Sequence, residues 1–182
     1  RIWRRYFLRD AFRYESFYAS PSTDGRFVFA LARSGRLVAL RARDGAVMWT
    51  RRLGTLEYST PAVSQGRLFV GGFDGRLHAF RTTTGNTLWT RYVGGRILAP
   101  AFVAGNLVFF STLEGRTYGA RVVDGRVVWS IRAGKYSPGI ATDRHYFFSL
   151  NGLMAAFWGT NTEPKKPKPV HHPKPKRKKH TK

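Results

Sequence analysis

Ten Asp and Glu side chains and five histidines, with no cysteine, are the carboxylates and imidazoles this chain offers for acid–base or metal chemistry. Asp24, Asp44, Asp74, Glu114 and Asp124 each stand directly before a glycine, the pairing that tight hairpin turns use because glycine accepts the positive φ they demand. Asp143 falls at a loop position and Glu163 in the C-terminal tail, which leaves Asp10, Glu15 and Glu57 as candidate bases. Calcium takes roughly six to eight oxygen ligands, commonly several of them carboxylates, and no such cluster can be read here. His78 occupies the strand position that Val38 and Tyr118 hold elsewhere and reads as a packing residue, whereas His145 reads as an exposed edge residue. His171 and His172 are adjacent in the tail and would make only a weak metal site. No nucleophile has a recognisable base, and there is no phosphate loop. The residues predict no catalytic, cofactor or metal site.

Anion recognition is the chemistry the composition favours. There are 32 Lys+Arg against 10 Asp+Glu, a net charge of +22, which draws anionic partners. Two columns of arginine recur: Arg36, Arg76 and Arg116 follow the glycine of one turn, and Arg41, Arg81 and Arg121 come five residues later. Strand alternation puts residues five apart on opposite faces, so the columns should form two arcs rather than one patch. Their guanidinium forks could pair with carboxylate or phosphate; equally, they could be solvated strand-end residues whose stems cover apolar surface. The tail contains Lys165, Lys166, Lys174, Lys176, Arg177, Lys178 and Lys179 among several prolines, with Val170 as its one aliphatic residue. It is expected to be a disordered, partly polyproline extension. It could tether the protein to lipid headgroups, an anionic envelope polymer or nucleic acid.

The elements that position these residues repeat. "RDGAVMWTRRLG", "TTGNTLWTRYVG" and "VDGRVVWSIRAG" superpose Trp49, Trp89 and Trp129 in one column and Gly45, Gly85 and Gly125 in another, forty residues apart. Pro21, Pro61, Pro100 and Pro138 open four copies, residues 20–58, 59–98, 99–136 and 137–158, and each copy shows short β-branched or aromatic runs between glycine turns. A repeat of this length implies stacked units. The prediction is an all-β chain of four-stranded antiparallel blades arranged as a propeller, each blade covering its neighbour's face, with a tryptophan wedged between consecutive blades. Residues 1–19 form an N-terminal strand and loop, and residues 159–182 the basic tail. No apolar run approaches the roughly 18 residues that a membrane-spanning helix requires.

The fourth copy lacks a tryptophan-bearing last strand. Trp3, in "RIWRRYFL", stands in a setting like that of Trp89, so the N-terminal strand could complete that blade and close a ring of about four. The other account, preferred here, is that the chain is the C-terminal half of a longer protein and forms a partial arc of a seven- to eight-bladed ring, with self-association through the uncovered blade faces.

Ala39–Trp49 and Ala79–Trp89 resemble the eleven-residue tryptophan-docking motif of the pyrroloquinoline-quinone (PQQ) type β-propellers, with Ala first, Gly seventh and Trp eleventh. The third copy begins instead with Gly119, and the motif's usual acidic third residue is replaced by Arg41, Arg81 and Arg121. The last copy looks like the terminal unit of longer actinobacterial members, and the architecture is similar to that of the propeller lipoprotein of the outer-membrane barrel-assembly machinery. The resemblance implies an extracytoplasmic protein-binding scaffold. It also implies an alternative, a quinone-dependent dehydrogenase with calcium beside the cofactor, for which the carboxylates above are poorly placed. A nucleic-acid or anionic-polymer binder is the third reading.

Overall fold

The computed structural model describes residues 3–7, 14–56, 58–134, 139–141, 145–150 and 153–158. Among them every regular element is a strand. The first sheet contains β1 (Ser22–Thr23), β2 (Phe27–Leu31), β3 (Arg36–Arg41) and β4 (Val47–Arg52). The second contains β5 (Ala62–Ser64), β6 (Arg67–Gly71), β7 (Arg76–Arg81) and β8 (Thr87–Tyr92). The third contains β9 (Phe102–Ala104), β10 (Leu107–Thr112), β11 (Arg116–Arg121) and β12 (Val127–Ile131). A final three-stranded sheet contains β13 (Ile140–Ala141), β14 (His145–Leu150) and β15 (Leu153–Trp158). Strands pair antiparallel with their neighbours in chain order within each sheet, and β1, β5, β9 and β13 lie side by side in that sequence. The molecule is an arc of blades belonging to a propeller.

One row of residues crosses each blade and explains its core. Phe29 pairs with Ala39 and Ala39 with Trp49; Phe69, Ala79 and Trp89 repeat the row, as do Phe109, Gly119 and Trp129. The small central residue lets the two rings approach over it, with centroids 6.0, 5.8 and 5.9 Å apart in the three blades. At Gly119 a Cβ would stand 3.0 Å from Phe109 Cε1, so the third blade uses glycine where the others have room for alanine. A bulge immediately after each small residue shifts the outer strand's register and increases local twist. Burial alternates along β2, where Phe27, Phe29 and Leu31 are enclosed, but β3, β6 and β10 are buried on both faces, with Leu37, Val38 and Ala39 and likewise Leu68, Phe69 and Val70 fully enclosed, as strands covered by a neighbouring blade on each side must be.

The acids before glycine act as turn residues. Asp44, Asp74 and Asp124 Oδ1 each accept the backbone N–H two residues on, at 3.0, 3.1 and 3.0 Å, which closes the turn from the side chain. Hydrogen bonds also join equivalent points of consecutive blades. The Ser59 hydroxyl donates to Ala99 O at 3.2 Å and Gln65 Nε2 to Gly105 O at 2.8 Å, each spanning forty residues.

Candidate functional site

The most specific geometry in the molecule lies at the blade junctions. The Trp49 ring from β4 lies on Gly85 of the next blade, and its Nε1 donates to Thr82 O at 2.8 Å. Two residues later Arg51 Nε donates to Gly85 O at 2.8 Å, and its Nη2 reaches Thr84 O and Asn86 Oδ1 at 3.2 Å. The following junction repeats the pair: Trp89 Nε1 donates to Val122 O at 3.0 Å and Arg91 Nε to Gly125 O at 2.9 Å, with the indole on Gly125. Glycine is required because a Cβ on Gly85 would stand 2.6 Å from Trp49 Cδ2 and Cε3, and because φ there is +68°, in the left-handed region. Trp3 makes the same two-point attachment to the first blade, with Nε1 to Ala42 O at 2.8 Å and Arg5 Nε to Gly45 O at 3.1 Å. The arginine half of this clamp is visible in the sequence as Trp-x-Arg at Trp3, Trp49 and Trp89, with Ile131 in its place after Trp129.

The two arginine columns sit at opposite ends of β3, β7 and β11, and most of their members meet acids. Arg36 Nε lies 3.3 Å from the Glu15 carboxylate, which also accepts the Ser34 hydroxyl at 2.8 Å and is itself buried. Arg76 pairs with Asp74 at 3.0 Å and lies over the Tyr92 ring, while Arg116 Nη1 reaches Ser130 Oγ at 3.5 Å. Arg41 Nε lies 3.2 Å from Asp44, and Arg121 forms a two-point pair with Asp124. The Arg121 hydrogen bond and the Arg126 N–H hold the Asp124 carboxyl below the usual range. The Ala46 N–H, aided by Arg41 and Arg43, does the same to Asp44. Arg81 differs because its turn carries Thr84 where the others carry aspartate, and Arg67 is its cross-strand neighbour. A cavity of about 440 Å³ opens beside Arg26, Arg41, Arg43 and Met48. The seven basic tail residues named above, with Asp10, Glu57 and Asp143, lie outside the described residues.

The fold type also raises the question of a quinone site. Among the described residues no three acidic or imidazole side chains converge as metal ligands. Asp24, Asp44, Asp74, Glu114 and Asp124 lie on separate turns, each already accepting backbone N–H groups or arginine, so these five carboxylates do not make the ligand set of a calcium–quinone pair. His78 is half-buried, stacked on Phe80 and 3.1 Å from Thr90 Oγ1 through Nδ1. Burial lowers its pKa, with Asp74 opposing and Arg76 assisting. A depressed imidazole pKa means that the unfolded chain binds the proton more readily, so stability is lost as pH falls through the ordinary value near ~6.5. The difference in melting temperature between wild type and His78→Val is therefore expected to change between neutral pH and about pH 5, and a constant difference would contradict this.

One surface stands out for its aromatics. Tyr14 and Tyr18 are 64% and 67% exposed; Tyr18 and Tyr58 lie 6.2 Å apart between centroids, and Arg33 Nε donates to the Tyr58 hydroxyl at 2.9 Å. The backbone of Ser16 accepts from Arg33 N at 2.8 Å, which anchors residues 14–18 beside β2 and β3. The sequence pattern marks this stretch only as an N-terminal strand and loop, because its aromatics do not repeat with the blades.

The family model described as outer membrane protein assembly factor BamB, a PQQ-like propeller, matches residues 1–131 and 33–157. The chain belongs to this family. No curated protein matches the sequence. Among solved structures, BamB from Moraxella catarrhalis is 20% identical with a TM-score of 0.69, covering 77% of this chain and 45% of its own. The computationally designed Ika4 protein is 13% identical with a TM-score of 0.72, covering 87% and 97%. Quinohemoprotein alcohol dehydrogenase from Comamonas testosteroni is 19% identical with a TM-score of 0.58, covering 65% and 21%. The chain thus spans about half the length of the Moraxella BamB, and the BamB-like family contributes the fold on which a function must be argued.

Proposed function

We propose that this BamB-like propeller segment is a non-catalytic scaffold of the cell envelope that binds protein partners. The observation that carries the reading is the exposed Tyr18 ring lying against the half-buried Tyr58, whose hydroxyl accepts from Arg33. Tyrosine and arginine are enriched where proteins bind proteins, since they combine large apolar area with a polar handle and lose little freedom. The envelope location and the scaffold role are carried over from the family whose model the chain matches. Against the quinoprotein alternative stands the dispersal of carboxylates into turns, and in its favour only the fold shared with the alcohol dehydrogenase.

The test is affinity capture from solubilised envelope proteins with the immobilised chain, compared with a Tyr18→Ser/Tyr58→Ser/Arg33→Ser variant. A retained protein should fall at least about tenfold in yield with the variant, the scale expected when a central aromatic contact is lost. Equal yields would reject the surface, and stoichiometric quinone uptake with calcium-dependent alcohol oxidation would reject the non-catalytic reading.

A further inference from the structure

Two parts of the molecule are each missing what the other has. At the full junctions, β4 and β8 do two things at once: they ladder onto β3 and β7 of their own blade, and they dock Trp and Arg onto the next blade. Residues 3–7 do only the second. Trp3 and Arg5 reproduce the docking contacts on Ala42 and Gly45, yet among the described residues no strand ladder includes them. The last sheet has the opposite deficit, since β15 pairs with β14 and, among the described residues, carries no outer strand.

Register makes the two deficits complementary. Phe147 pairs with Ala156 as Phe29 pairs with Ala39, so β15 is the equivalent of β3 and Ala156 the small residue that a tryptophan opposes. A segment laid on β15 as β4 lies on β3 would place Trp3 opposite Ala156 and Arg4 opposite Ala155. The chain's own tail is unsuited to the place, because Pro164, Pro167, Pro169, Pro173 and Pro175 cannot donate to a ladder.

We infer that β15 of one copy takes residues 3–7 of a second copy as its fourth strand, reciprocally, so that two chains complete one ring. Three observations select a second copy over closure within one chain. Among the described residues β1 packs on β5, β5 on β9 and β9 on β13, with no comparable packing of β13 back on β1. Residues 3–7 are held at the β1 end of that series by Trp3 and Arg5. The arc also superposes on 45% of the BamB chain with a TM-score of 0.69, so a ring of the BamB kind has room for a second arc of this size. The exchange is isologous, each copy giving the same strand and receiving it at the same edge.

The absence of cysteine makes the test clean. Arg4→Cys and Ala155→Cys, made in separate chains and mixed under mild oxidation, are expected to form a disulfide-linked pair of about twice 20.7 kDa, while neither variant alone does. Arg4 is exposed and makes none of the docking contacts, so Trp3 and Arg5 stay intact. Light scattering of the unmodified chain should give the same doubled mass, and Trp3→Ala should halve it with the strand circular dichroism retained. A monomer at all concentrations, no cross-link on mixing, or a double variant that cross-links only within one chain would each overturn the inference.

Discussion

Trp49→Ala is expected to lower the free energy of unfolding by about 3–5 kcal/mol, the usual cost of truncating a large buried aromatic. The indole is 8% exposed, packs on Phe29 within its own blade and on Gly85 in the next, and donates to Thr82 O. Burying about 150–250 Å² of ring at ~25 cal/mol/Å² gives an upper bound near 4–6 kcal/mol. The orphaned Thr82 carbonyl adds its own desolvation penalty of about 1–3 kcal/mol if water cannot reach it. Since a typical domain is stable by only about 5–15 kcal/mol, guanidinium denaturation should show a large fall in midpoint. Trp49→Phe isolates the N–H and should cost less. Trp89, which is less enclosed, should cost less than Trp49 on truncation. A loss under about 1 kcal/mol for Trp49→Ala, the mean for point substitutions of every kind, would mean that the indole is not what couples the blades.

Gly85→Ala should destabilise by about 2–5 kcal/mol, combining a left-handed backbone cost of about 1–2 kcal/mol with about 1–3 kcal/mol for displacing a packed ring. Gly66 is a matched control, with φ of +69° and nothing within 4 Å of the point a Cβ would occupy; Gly66→Ala carries the backbone cost alone. The excess at Gly85 is therefore the contact with Trp49. In a Trp49→Ala background that excess should vanish, leaving Gly85→Ala near the Gly66→Ala value, a non-additivity expected of residues in contact. Equal effects of Gly85→Ala in both backgrounds would show that the ring does not require the glycine.

The blades were legible because three signals coincide at one period: tryptophan, the turn glycine and the alternating apolar runs. Two features were harder to read. Arg51 and Arg91 look like solvated edge residues, since nothing in a strand pattern reveals that their Nε atoms reach a carbonyl 34 positions on; the recurring Trp-x-Arg was the available signal. Glu15 lies outside the repeats, so its burial against Ser34 and Arg36 depends on how residues 14–18 fold back, which periodicity does not address. The arginine columns were visible as columns, but their partners were only partly so. Asp44 and Asp124 stand three residues after Arg41 and Arg121, close enough to neutralise them in place.

The inter-blade hydrogen bonds described above span 33 to 40 residues, so each sheet is tied to the one synthesised just before or after it. Ordering of the polypeptide can thus spread stepwise from any nucleated unit, with each arriving hairpin finding its template already set, and no loop much longer than one repeat has to close at any step. Such a chain could begin to acquire native structure while its later portion is still emerging from the ribosome.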